Sequence, residues 1–145
     1  MKSIRLYVDG GCFPNPGEKA IAVVTADGEV LEAKRTGYGT NNEAEYEACI
    51  RGLEIAIDKG WKDIEVCLDS QIVIYQLMGK WKAQDKFHHY IDRFNDLSKQ
   101  FDSLQITYVR SRVNLADAEV KKLLDINEIP MFKITKEELS SGKNT

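Results

Sequence analysis

The sequence predicts an α/β protein built on a mixed five-stranded sheet flanked by helices. Three observations carry that prediction. Residues 3–9 and 63–69 alternate apolar and polar side chains and each run ends on an aspartate, the period-two pattern of a half-buried strand. Between them lie a hairpin signal at Asp27-Gly28 and a long stretch with helical periodicity. After them, helix and strand patterns alternate. A hairpin-led sheet followed by strand–helix units gives a mixed sheet with helices packed on it.

In the first run Ile4, Leu6 and Val8 share one face, so Asp9 falls on the other, followed by Gly10-Gly11. Residues 19–26 read as the second strand. Asp27-Gly28 is a two-residue hairpin signal, residues 29–35 return as the third strand, and Thr36-Gly37-Tyr38-Gly39 breaks the pattern. Residues 42–59 read as a helix with Glu45, Cys49, Gly52, Leu53 and Ala56 on one face and Gly60 as its stop. In the run ending at Asp69, Ile64, Val66 and Leu68 alternate in the same way. Residues 70–78 form a short helix closed by Gly79. Residues 86–100 form an amphipathic helix, with Phe87, Ile91, Phe94, Leu97 and Phe101 at helical spacing. Residues 104–109 are the last strand and 115–124 the last helix. Residues 1–125 are expected to form one domain. Residues 126–145 are expected to be a partly disordered extension, in which Thr135 and Glu138 could cap a single turn.

At 145 residues and 43% hydrophobic content the chain can bury one real core. No stretch approaches the roughly 18 apolar residues of a membrane span. The start of the chain enters a strand with no signal-peptide pattern. Cys12, Cys49 and Cys67 are odd in number and lack metal-ligand spacing, so reduced thiols and a cytoplasmic location are expected. The net charge of −3 does not advertise nucleic-acid binding. Bound metal would offset several acids, and local basic patches outweigh the total.

If the runs ending at Asp9 and Asp69 are parallel neighbours, the two carboxylates emerge together at the C-terminal edge of the sheet, where open α/β folds keep their sites. Like charges held that close call for a cation, and a divalent-metal site is the expectation. Each acid also has a plainer reading. Asn42 with Glu45, and Asn114 with Asp117, fit the spacing of a capping box. Asp69-Ser70 fits a helix cap, and Asp9-Gly10 a turn. Asn15-Pro16-Gly17 reads first as turn chemistry, and Lys121-Lys122 as a solvated helix face.

The motifs taken together carry more. Tyr7-Val8-Asp9-Gly10-Gly11, Asn15-Pro16-Gly17, Thr40-Asn41-Asn42-Glu43-Ala44-Glu45-Tyr46, Leu68-Asp69-Ser70 and Asn114-Leu115-Ala116-Asp117 follow one another along residues 3–125. In that order and spacing the chain resembles ribonuclease H, type 1. A monomer without membrane association is expected, and the resemblance implies a ribonuclease H-like fold and an endonuclease. It implies cutting of the RNA strand of RNA/DNA hybrids to 3′-hydroxyl and 5′-phosphate ends, using two Mg²⁺ or Mn²⁺ ions. It places the acidic cluster on Asp9, Glu45, Asp69 and Asp117, with Asp9 bridging two ions, Asp69 and Asp117 completing one shell and Glu45 the other.

Hybrid recognition is expected from Gly10, Gly11 and Cys12, whose backbone can approach closely. Asn15, Asn41, Asn42 and Gln71 can read sugars or base edges. Lys80 and Trp81 are expected on the DNA strand, and Arg110 or Arg112 on the cleaved phosphate. The chain departs from the family pattern in three places. Residues 79–86 replace a larger basic protrusion, which makes this a compact form. The loop Arg110-Ser111-Arg112-Val113 lacks the histidine that many members carry. Glu119-Val120 stand where a Leu-Ala pair is usual. The altered loop motivates a rival reading, a catalytically inactive hybrid-binding module of the same fold.

Overall fold

A computed structural model describes residues 3–126. The sheet contains β1 (Ile4–Phe13), β2 (Gly17–Thr25), β3 (Val30–Gly39), β4 (Asp63–Leu68) and β5 (Ser103–Tyr108), in the order β3-β2-β1-β4-β5. The helices are α1 (Asn41–Asp58), α2 (Gln71–Leu77), α3 (His88–Ser98) and α4 (Asp117–Leu123). Short 3₁₀ turns at Asp85–Phe87 and Ser111–Val113 precede α3 and α4. The hairpins β1–β2 and β2–β3 are antiparallel, whereas β1–β4 and β4–β5 are parallel. The expected mixed five-stranded sheet is therefore present. Of the extension expected at 126–145, Ile126 is described and packs against the core around α4; the rest, with Thr135 and Glu138, lies outside the described residues.

Strand alternation sorts the apolar residues into two cores of unequal size. Leu6, Val8, Ile21, Val23, Ile64, Val66 and Leu68 point to one side, where α1, α2 and α3 add Leu53, Val73, Phe94 and Leu97. On the other side Ala20, Ala22 and Val24 of the sheet, flanked by the partly buried Tyr7 and Ala33, meet Ala116, Val120 and Leu124 around α4. Alanines on the strand face let α4 settle close to the sheet, but they leave little apolar area to bury.

Several boundaries differ from the sequence expectation, each for a local reason. β1 runs on past Asp9 to Phe13, because its residues continue to pair with β2 through Phe13↔Glu18. The hairpin loop is longer than two residues. Thr25 closes it by accepting from the Gly28 amide at 2.9 Å and donating its own amide to the Glu29 oxygen at 2.9 Å. β3 continues through residues 36–39, because a bulge at Thr36 takes up the irregularity: Lys19 pairs with Gly37 while Ala20 pairs with Arg35. Gly37 has φ +95°, a conformation that disfavours any residue with a Cβ. α1 starts at Asn41 with Thr40 as its N-cap. The Thr40 hydroxyl accepts from the Glu43 amide at 3.3 Å, and the Glu43 carboxylate accepts from the Thr40 amide at 2.9 Å. The capping box therefore uses Thr40 and Glu43, not Asn42 and Glu45.

Candidate metal centre and active site

Parallel pairing of β1 with β4 covers only Ile4↔Ile64 through Tyr7↔Cys67. Beyond Tyr7 the two strands part, and Asp9 and Asp69 sit at the mouth of the split. Asn114 fills its base. Its Nδ2 donates to the main-chain oxygen of Val8 at 2.9 Å and to Asp69 Oδ2 at 3.2 Å, and its Oδ1 accepts from the Ala116 amide at 3.0 Å. One buried amide thus ties β1, the acid after β4 and the start of α4 together. This is not the helix-capping role that its spacing to Asp117 suggested. The residue that caps α2 is Ser70, whose hydroxyl accepts from the Val73 amide at 3.3 Å. Neither Asp69 nor Glu45 is consumed by a cap.

Glu45 enters from α1, which lies directly against β1. A Cβ on Gly10 would sit 2.1 Å from the Ala44 carbonyl oxygen, so only glycine lets the helix come this near. Glu45 and Asp9 are nearly sealed from solvent, at 8% and 5% exposure. One carboxylate oxygen from each of Asp9, Glu45 and Asp69 lies within 4.8 Å of the others. Asp117, in the first turn of α4, lines the same cavity of about 360 Å³. It stands apart from the three and takes an ion pair from Lys121 Nζ at 3.0 Å.

The electrostatics follow from burial and crowding. Desolvation first, then the charges of Asp69 and Asp117, push Asp9 well above the usual carboxylate range. Burial, followed by the charges of Asp9 and Asp69, does the same to Glu45. Burial also raises Asp69, while hydrogen bonds from Asn114 and Ser111 pull it back. Buried carboxylates at this spacing repel, and an oxygen without a partner is unstable in such a place. Glu45 Oε1 is buried and has no hydrogen-bond partner. Three hard oxygen donors converging beside an unsatisfied buried oxygen fit a divalent cation such as Mg²⁺ or Mn²⁺.

Gly10, Gly11, Cys12 and Asn41 also line the cavity. Asn41 Oδ1 accepts from the Cys12 amide at 2.8 Å, and Asn15 Oδ1 accepts from the Asn41 amide at 3.2 Å and from Cys12 Sγ at 3.3 Å. The Asn15 turn, in which both prolyl bonds are cis, therefore braces the cavity edge through α1. Asn42, Gln71, Lys80, Trp81, Arg110 and Arg112 do not line the cavity. Gln71, Lys80, Arg110 and Arg112 are exposed, and Trp81 is half-exposed with its ring 4.7 Å from that of Tyr75.

Three residues of the site escaped sequence reasoning. Lys121, read as part of a solvated helix face, turns its ammonium into the cavity, and its i,i+4 spacing to Asp117 was a usable signal. Asn114 opened the motif Asn114-Leu115-Ala116-Asp117, but its spacing to Asp117 pointed to a cap. Ser111 had no signal in the sequence at all.

A sheet in the order β3-β2-β1-β4-β5 with acids gathered at the β1–β4 split defines the class of ribonuclease H-like proteins. The family described as reverse transcriptase-like matches residues 8–122, and the chain belongs to it. It is 40% identical over 128 residues to ribonuclease HI of Halobacterium salinarum, covering 84% of this chain and 64% of that protein. It is 34% identical over 130 residues to the bifunctional protein Rv2228c of Mycobacterium tuberculosis, covering 84% of this chain and 35% of that protein. The chain thus spans about two-thirds or less of the length of these curated relatives. The crystal structure of Halobacterium salinarum RNase H1 superposes with a TM-score of 0.77 at 37% identity, covering 87% of this chain and all of that one. LC11-RNase H1 in complex with an RNA/DNA hybrid superposes with a TM-score of 0.74 at 30% identity, covering 85% of this chain and 97% of that one.

Proposed function

We propose that this chain is a divalent-metal-dependent endonuclease that hydrolyses the RNA strand of RNA/DNA hybrids, leaving 3′-hydroxyl and 5′-phosphate ends. The observation that carries the reading is the convergence of Asp9, Glu45 and Asp69 at the sheet split, with Asp117 across the same cavity. The similarity to RNase H1 structures, one of them in complex with a hybrid, supports the substrate class.

Asp9, Glu45, Asp69 and Asp117 would hold two Mg²⁺ or Mn²⁺ ions. Asp9 would be the shared ligand, as the resemblance to ribonuclease H implies, and one of its carboxylate oxygens lies within 4.8 Å of oxygens of Glu45 and Asp69. Bound ions would supply the charge that activates water and stabilises the departing 3′-oxygen. The protein's own part is to fix the ligands and read the substrate. Asn114 holds Asp69 against β1, and Gly10 admits Glu45. The backbone of Gly10, Gly11 and Cys12, steadied by Asn15 and Asn41, would lie along the RNA sugars, where 2′-hydroxyls separate RNA from DNA. Asn42 and Gln71 would extend that contact. Lys80 and Trp81 would hold the DNA strand, and Arg110 or Arg112 the phosphate near the cut.

The same reading places a monomer in the reducing cytoplasm, a location consistent with three unpaired cysteines. No helix among the described residues is long and apolar enough to cross a membrane.

The test is cleavage of a labelled hybrid with Mg²⁺ and with Mn²⁺, beside the Asp9→Asn variant. Cutting of the RNA strand alone, lost by about a hundredfold or more in the variant, is expected. Hybrid binding without turnover in either metal would replace the enzyme by an inactive binding module.

A further inference from the structure

Among the described residues lining the acidic cavity, Lys121 is a cation. Lys121 Nζ lies 3.0 Å from Asp117 Oδ2, one helical turn along α4. The ammonium also acts on Asp9 across the cavity, opposing the effect of the neighbouring acids. The pair is partly buried, with side chains 32% and 21% exposed, so water screens it incompletely. Its geometry sets the fourth acid apart: Asp9, Glu45 and Asp69 converge, while Asp117 faces Lys121.

We propose that Lys121 is a resident counter-ion that competes with divalent metal for Asp117. In the metal-free protein its charge offsets part of the repulsion among the four acids. A divalent ion that takes Asp117 as a ligand must displace this contact and sit beside a like charge. Lys121 thereby stabilises the metal-free chain and weakens metal binding, most of all at the position served by Asp117. It is a positioning residue, acting through the Asp117 carboxylate. The inference rests on the metal reading of the site given above.

The experiment measures Mn²⁺ affinity by calorimetry, and thermal midpoints in EDTA and in Mn²⁺, for the wild-type chain, Lys121→Met and Lys121→Arg. Methionine keeps the unbranched apolar stem and removes the charge; arginine keeps the charge. Lys121→Met is expected to bind Mn²⁺ about two- to tenfold more tightly, the span of a partly exposed ion pair. It should melt lower in EDTA and show a larger rise on adding Mn²⁺. Lys121→Arg should stay close to wild type in both. Unchanged or weaker Mn²⁺ binding by Lys121→Met, with wild type binding normally, overturns the counter-ion role and leaves the metal site standing. An equal gain in affinity with Lys121→Arg also overturns it, because charge would then not be the cause. A wild-type chain that binds no Mn²⁺ overturns the metal reading and this inference together.

Discussion

At the scale of single residues, Asn114 is the side chain on which the site geometry most depends. It is 4% exposed, and its amide serves the Val8 carbonyl, Asp69 and the Ala116 amide at once. Asn114→Ala leaves two buried main-chain groups without partners and frees Asp69 to turn. A loss of about 2–6 kcal/mol is expected, from one to three for each of the two unsatisfied buried groups. Urea unfolding of the variant checks it, and a loss below about 0.5 kcal/mol, the range of an ordinary surface change, would refute the bridging role. The four acids that line the cavity were marked in the sequence by motif order. Asn114 stood in one of those motifs, but its spacing to Asp117 suggested a cap. Its bonds to Val8 and Asp69 span 106 and 45 positions, and only the one from the Ala116 amide is local.

At the scale of elements, β1 and α1 show how local chemistry set limits that periodicity missed. Alternation identified the strand ending near Asp9, yet β1 extends to Phe13 because pairing with β2, not its own pattern, decides where it ends. The start of α1 depends on a choice between two similar signals two residues apart. Thr40 with Glu43 wins over Asn42 with Glu45, and this releases Glu45 for the site. Burial argues the same way, since capping acids sit at solvent-facing helix ends while Glu45 lies under β1. Thr40→Ala should destabilise the chain by about 1 kcal/mol, read as a fall in the denaturant midpoint with an unchanged slope. Asn42→Ala should have a much smaller effect. Equal losses for the two would mean the cap was misassigned.

At the scale of the whole molecule, the acid cluster links stability to pH and to metal. Asp9, Glu45 and Asp69 hold their protons more firmly in the folded chain than their ordinary values of 3.8 and 4.5. Below those values both states are protonated and the cluster opposes folding least. As pH rises from there through the raised folded values, the unfolded chain has already lost its protons, so stability falls. Glu43 and Glu65 work in the opposite sense. Hydrogen bonds from the Thr40 backbone and from Thr107, respectively, hold them low, so their contribution is present above 4.5 and is lost as pH falls below it. In EDTA the thermal midpoint is therefore expected to be higher at about pH 5.5 than at about pH 8. Saturating Mn²⁺ should raise the pH 8 value and narrow the gap. A midpoint at pH 8 that is higher in EDTA and indifferent to Mn²⁺ would contradict both the repulsion and the site.

The inequality of the two cores has a further consequence. α4 is held to the sheet by Ala20, Ala22 and Val24 against Ala116, Val120 and Leu124, while three helices share the far larger core on the other side. Local opening free energies scale with the apolar contact that must be broken. The segment bearing Asp117 and Lys121 is thus expected to open at lower free energy than β1, β4 and α1, which hold the other three acids. Amide exchange along 117–123 then reports the docking of one ligand arm, and the free energy of assembling the fourth acid becomes distinct from that of folding the chain.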